Sequence, residues 1–127
     1  MTENEIASGI LDGAFEVHRE LGPGLLESVY ETALAHTLVS KGMKVRRQVP
    51  VPFRFRGLLF EEGFRADLLV EEKVIVELKS VRTIEAVFQK QLQTYLRLSD
   101  KKLGLLINFN EVVLRTGIRR VVNGLEE

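Results

Sequence analysis

Residues 65–79 read R-A-D-L-L-V-E-E-K-V-I-V-E-L-K, an Asp followed ten residues later by Glu-x-Lys within two short apolar runs. Strand interiors disfavour Asp, Glu and Lys, so Asp67, Glu77 and Lys79 need either solvent on one face or a chemical role. Side chains alternate across a strand with period two, which puts Glu77 and Lys79 on one face whatever the intervening turn does. With Glu71-Glu72-Lys73 as a three-residue loop, Val70 opposes Val74 and Asp67 falls opposite Glu77, with Cβ atoms about 4.5–5.5 Å apart. A two-residue loop would put the two acids on opposite faces. The three-residue register is the predicted one, because it also gathers Ala66, Leu68, Val70, Val74, Val76 and Leu78 on one apolar face.

Carboxylates directly opposite each other repel, and a divalent cation between them removes the conflict. Oxygen-only ligands suit Mg²⁺ or Mn²⁺, and Mg²⁺ commonly takes one or two carboxylates, with waters and substrate phosphate filling its octahedron. Lys79 could then orient an attacking water and stabilise charge developing on a phosphoryl group. The competing reading is a solvent-facing hairpin with a Lys between two acids, a pattern that chance also produces.

The elements that must position these residues can be read from periodicity. Ile6, Ile10, Ala14, Val17 and Leu21 recur at helical spacing over residues 5–21, which predicts an amphipathic helix. Gly22-Pro23-Gly24 ends it and should open a second helix running to Ser40 or Lys41, with Leu26, Val29, Tyr30, Ala33, Leu34 and Leu38 as its buried stripe. After Met43 come β-branched and aromatic blocks, 45–49, 51–55, 58–60, 64–70 and 74–79, with Pro50 and Pro52 marking an edge or bend and Arg56-Gly57 and Glu62-Gly63 marking turns. A helix over residues 83–98 follows, then an interior strand over 103–109. Residues 112–114 and 118–122 should supply a final strand and a short terminal element. The order predicts an α/β (α+β) fold, a mixed sheet with helices packed on it.

The chain has 127 residues, 45% of them hydrophobic, which suits a single domain over 1–127. It shows no charged-then-apolar leader and no run of about 18 apolar residues, so a cytoplasmic location without membrane insertion is expected. The absence of cysteine excludes disulfides and thiolate metal sites, and two histidines speak against zinc. No P-loop, dinucleotide fingerprint or nucleophilic serine arrangement occurs. With 18 basic and 18 acidic residues, no overall field draws the protein to nucleic acid, so polyanion binding must be local. Arg46, Arg47, Arg54, Arg56 and Arg65 form one candidate cluster, and Arg115, Arg119 and Arg120 another. Charged faces of edge strands that discourage edge-to-edge pairing are the plainer reading of both.

Three further polar residues sit on or beside apolar stripes. Glu27 borders the buried face of the second helix, and with Gly24 as N-cap it would occupy N3, where Glu suits the helix dipole and a capping bond. Gln91 shares a face with Phe88 and Tyr95, so its amide would need buried partners, at a sheet edge, Lys79 or a phosphate. His18, near the end of the first helix, reads as a surface or capping residue.

The block Leu21-Gly22-Pro23-Gly24-Leu25-Leu26-Glu27-Ser28-Val29-Tyr30 resembles the signature of the small bacterial GxxExxY proteins, members of the PD-(D/E)XK nuclease superfamily. The resemblance continues through Arg47-Gln48-Val49-Pro50, Arg65-Ala66-Asp67, Val76-Glu77-Leu78-Lys79, Gln91-x-x-x-Tyr95 and residues 104–109, and so covers nearly the whole chain. It implies a restriction-endonuclease-like core, a central mixed sheet flanked by helices, and Mg²⁺- or Mn²⁺-dependent hydrolysis of nucleic-acid phosphodiesters. By that resemblance Asp67 and Glu77 hold the metal, Glu27 binds it directly or through water, Lys79 orients the attacking water and Gln91 supports the site. Ala66 stands where the family usually has proline, and Phe88 where a polar residue, often His, is expected. The alternative is a catalytically inactive nuclease-fold module that binds nucleic acid or a protein partner. A domain this small would recognise long duplex sites only with dimerisation or a partner, and DNA is not distinguished from RNA.

Overall fold

The computed structural model describes residues 1–126. Its first helix, α1 (Glu3–Leu21), buries Ile6, Ile10, Ala14 and Val17 as their spacing predicts, while Leu21 stays exposed. A capping box starts it: Thr2 accepts the Glu5 N–H, and the Glu5 carboxylate accepts the Thr2 N–H. Near its end His18 is half-buried, with Nε2 2.7 Å from the Glu111 carbonyl, a long-range contact in place of the expected surface or capping role.

The second helix, α2 (Glu27–Ser40), begins later than Gly24, and neither Gly24 nor Pro23 is part of it. Its N-cap is Leu26, so Glu27 occupies N1 and the predicted N3 capping role is not realised. The buried stripe is also rotated from the predicted one: Tyr30, Glu31, Leu34, Ala35 and Leu38 face inward, while Leu26 is 73% exposed and Val29 is also exposed. Tyr30 sets this phase. Its hydroxyl donates to the Gly22 carbonyl at 2.6 Å and accepts the Leu25 N–H at 3.1 Å, and its ring stacks on Phe109 with centroids 4.6 Å apart. A phenol anchored at both ends draws its helical neighbours Glu31 and Leu34 inward with it.

The sheet has five strands in the order β1 (Val45–Phe55), β2 (Leu58–Val70), β3 (Val74–Lys79), β4 (Leu103–Asn108), β5 (Ile118–Val122). Only β3 and β4 run parallel, joined by the crossover helix α3 (Ala86–Ser99). All six residues of β4 are buried, as an interior strand requires. The five predicted blocks before α3 merge into three strands. Pro50 and Pro52 lie within β1, which tolerates them because it is the sheet's edge. Arg56-Gly57 is the hairpin turn, but Glu62-Gly63 is strand, and Gly63 is there for space: a Cβ would approach the Phe53 ring to 2.1 Å. The predicted strand near residues 112–114 is instead the approach to a 3-10 turn over Leu114–Gly117, and residues 118–122 form the strand.

Between β2 and β3 the register is the predicted one, with Val70 opposite Val74, Leu69 opposite Ile75 and Leu68 opposite Val76. Leu68, Val70, Val74, Val76 and Leu78 pack under α1 and α2. Ala66, expected with them, packs on the opposite face with Val49, Phe64, Leu92 and Leu106. The alternation fails at Asp67, next to Gln48 on β1, whose φ of 50° interrupts the strand. Among the described residues no helix is long and apolar enough to cross a membrane.

The chain following Lys79 is held by Asn108, a fully buried side chain at the end of β4. Its carbonyl accepts the Val81 N–H at 3.0 Å and its amide donates to the Val81 carbonyl at 2.9 Å. Asn108→Leu leaves the Val81 N–H without its acceptor, while the Val81 carbonyl keeps the Asn110 amide at 3.2 Å, and should lower unfolding free energy by about 1–3 kcal/mol. Urea denaturation checks this, and an unchanged midpoint and slope would contradict it.

Candidate active site

Backbone pairing between β2 and β3 extends from Val70 only to Leu68. Beyond it, side chains join the strands. The Glu77 Oε1 accepts the Asp67 N–H at 3.3 Å, and the Asp67 Oδ2 accepts the Leu78 N–H at 2.8 Å. Each carboxylate is therefore fixed by the backbone of the other's strand, which places the two acids side by side as their register predicts.

Their electrostatics follow from that position. Glu77 is 9% exposed, and burial, reinforced by the neighbouring Asp67 charge, pushes its carboxyl up to about 8. Burial also raises Asp67; the Leu78 N–H opposes the shift and the charge of Glu31 adds to it. Two acids that resist being ionised together need a shared proton or a cation.

Lys79 ends β3, and its ammonium lies 4.6 Å from the centroid of the Phe88 ring, a cation–π contact. Phe88, which stands where the resemblance calls for a polar residue, thus holds the lysine by its π-face. The predicted supporting residue on the same helix is not buried as its spacing suggested. Gln91 is exposed, because α3 turns Leu92 and Leu96 inward. Tyr95 comes nearer: it stacks on Phe64 with centroids 4.0 Å apart, and its phenol is raised by burial and by the charges of Glu77 and Asp67.

A cleft of about 340 Å³ opens on the Asp67 side of the pair, lined by Glu27, Ser28, Glu31, Gln48, Asp67 and Leu78, with Glu77 buried behind its wall. A larger hollow of about 560 Å³ on the outer side of α2 offers Ser28, Val29, Thr32, Ala33 and His36 but no carboxylate, so the smaller cleft is where acid chemistry is concentrated. Glu27 belongs to its wall and approaches the Ser80 N–H at 3.4 Å. Among the described residues no group of three or more Asp, Glu or His side chains is gathered closely enough to hold a metal. Glu27 accordingly does not close with Asp67 and Glu77 into the expected three-carboxylate set.

Glu31 and Gln48 are the participants that sequence reasoning missed. Glu31, buried on α2, accepts from Arg47 Nε at 3.1 Å and from the Gln48 amide, and that same amide reaches Asp67 Oδ1 at 3.3 Å. Arg47 is thus tied into the cleft wall, with a further bond to Thr32 at 2.8 Å. The signal for Glu31 was its place beside Tyr30, once that tyrosine's inward direction is known. Of the other predicted arginines, Arg46 pairs with Glu72 and Arg65 with Glu62, while Arg54 and Arg56 lie at the far end of the β1–β2 hairpin.

The PD-(D/E)XK nuclease superfamily model matches residues 4–121. The chain belongs to that superfamily. The crystal structure of SSO0001 is similar, with a TM-score of 0.55 and 18% sequence identity over 79% of this chain. This chain spans about half of that one, 52% of its length, and the likeness is one of fold. No curated protein matches the sequence. For a PD-(D/E)XK protein, the five-stranded mixed sheet flanked by three helices is the restriction-endonuclease-like α+β arrangement.

Because the folded-state Glu77 carboxyl titrates above its ordinary value of 4.5, the stability it contributes is fully present below about pH 4.5 and is lost as pH rises through about 8. Glu77→Gln carries no charge to bury. In EDTA its melting temperature should therefore gain on the wild type's between about pH 5 and 8.5. Parallel pH dependences of the two melting temperatures would contradict this.

Proposed function

We propose that this protein is a divalent-metal-dependent nuclease of the GxxExxY group, hydrolysing nucleic-acid phosphodiester bonds. The observation that carries the reading is the reciprocal bracing of Asp67 and Glu77, with Lys79 two residues along the same strand. Superfamily membership supports the nuclease class, and the pair's chemistry suits Mg²⁺ or Mn²⁺: two hard oxygen donors whose joint ionisation is opposed by burial.

In this reading Asp67 and Glu77 hold the ion and Glu27 contributes from the cleft wall. When bound, the ion neutralises phosphate charge and favours ionisation of water. Lys79, steadied by Phe88, aligns the attacking water and stabilises charge on the phosphoryl oxygens. The Arg47–Glu31–Gln48 chain keeps Asp67 in place. Water oxygen bonds to phosphorus and gives up a proton to solvent as the bond to the leaving sugar oxygen breaks, and that oxygen takes a proton from solvent. Arg54 and Arg56 are the proposed phosphate contacts; Arg46, Arg47 and Arg65 would have to exchange their carboxylate partners to act in the same way.

One observation favours a second reading, a module that binds nucleic acid or protein without turnover: among the described residues, no third carboxylate closes on the pair. Cleavage assays with Mn²⁺ separate the two. Asp67→Ala and Lys79→Ala should each slow cleavage by about a hundredfold or more while leaving the circular dichroism spectrum unchanged. Undiminished cleavage by both variants, or none by the wild type on single-stranded and duplex DNA and RNA, would overturn the nuclease reading.

A further inference from the structure

Two strands outrun the rest of the sheet. β3 pairs with β2 only over Leu68–Val70, whereas β1 and β2 stay paired from Val49 opposite Ala66 out to Phe55 opposite Leu58. From Asp67 to Leu58 this two-stranded arm is about 30 Å long at about 3.3 Å per residue. A register shift between Val51 and Phe53 bends it.

Residues 53–60 at its tip read F-R-F-R-G-L-L-F, two arginines and no acid. Pairing of Phe53 with Phe60 and of Phe55 with Leu58 sets these four side chains on one face of the ribbon, with Arg54 and Leu59 on the other. The apolar face is open, with Phe55 52%, Leu58 61% and Phe60 43% exposed. It is also ordered. Phe53 stacks on Phe60 with centroids 5.0 Å apart, in the space that Gly63 leaves, and the Arg56 guanidinium lies 5.0 Å from the Phe55 ring centroid. Edge ribbons ordinarily carry charge or proline at such positions to avoid sticking, so an aromatic platform here asks for an occupant.

We propose that the β1–β2 arm is a platform for single-stranded nucleic acid, on which Phe55 and Phe60 stack unpaired bases beside Leu58, Arg56 next to Phe55 holds phosphate, and Arg54 adds positive charge from the ribbon's other face. Charge complementarity favours this occupant, since the tip offers cations without acids. Continuity favours it as well, because the strands that form the arm carry Gln48 and Asp67 into the cleft. Aromatic rings accept any base face, but only where the base is unpaired; a duplex keeps those faces stacked on one another. The proposal rests on reading the cleft as a nucleic-acid site.

Fluorescence anisotropy in EDTA tests it, using short single-stranded DNA and RNA oligonucleotides and a duplex of equal length. The wild type should prefer a single strand at least tenfold. Phe55→Ala/Leu58→Ala should lose at least tenfold in single-strand affinity with little change in salt dependence, and Arg54→Ala/Arg56→Ala should flatten the salt dependence. Unaltered binding by the Phe55→Ala/Leu58→Ala variant, no single-strand binding by the wild type, or equal or tighter duplex binding would overturn the proposal. So would sedimentation showing a wild-type dimer that this variant splits, which would assign the face to a second copy. Absence of cleavage in Mn²⁺ with binding in EDTA intact would sink the nuclease reading while leaving the arm's role standing.

Discussion

Asp67 and Glu77 meet where the backbone ladder between β2 and β3 stops, and each carboxylate accepts an N–H from the opposite strand. The sheet's continuity and the site's geometry are therefore one set of hydrogen bonds. Removing either acid takes away a chemical group and also leaves a backbone donor without its partner. The local conflict is built in: burial opposes ionisation of both acids, and Gln48 beside them adopts a left-handed φ that few side chains favour. Such strain persists only where surrounding structure enforces it, and here the bonds of Gln48 to Glu31 and Asp67 do so.

That pair is held rigid by what covers the sheet. One face of β3 and β4 lies under α1 and α2 and the other under α3, so the central strands are dry on both sides. The phase of α2 depends on Tyr30, braced between Gly22, Leu25 and Phe109. The Gly-Pro-Gly turn and the tyrosine of the signature block thus act together: the turn supplies the carbonyl that fixes the ring, and the ring fixes which carboxylates of α2 face the cleft. Asn108 does the corresponding work beyond Lys79, clasping Val81 where the chain leaves β3.

Much of this was legible in the sequence because it rests on periodicity. The three-residue loop set the hairpin register and so brought Asp67 beside Glu77, although alternation fails at Asp67 and misassigned Ala66, and the continuous apolar run marked β4 as interior. What escaped depended on contacts between distant segments. Helical spacing could not fix the rotation of α2, because the helix is apolar over much of its circumference and Leu26 and Val29 compete with Tyr30 and Leu34 for the core. That ambiguity hid Glu31. Gln91 was misplaced for a similar reason, lying at the border of the stripe formed by Phe88, Leu92 and Tyr95. Gly63 read as a turn because a glycine that yields space to a ring on the neighbouring strand carries no local signature. Phe88 looked out of place until its ring was found under Lys79.

The central claim is that the Asp67–Glu77 pair is a seat for a divalent cation, and calorimetric titration of Mn²⁺ into the wild type and Asp67→Ala at neutral pH tests it most directly. Run in two buffers of different ionisation enthalpy, the titration also counts protons. Saturable binding by the wild type, with proton release as Glu77 ionises, and its loss in Asp67→Ala are the results this account predicts; no saturable binding, or equal affinity in both proteins, would contradict it.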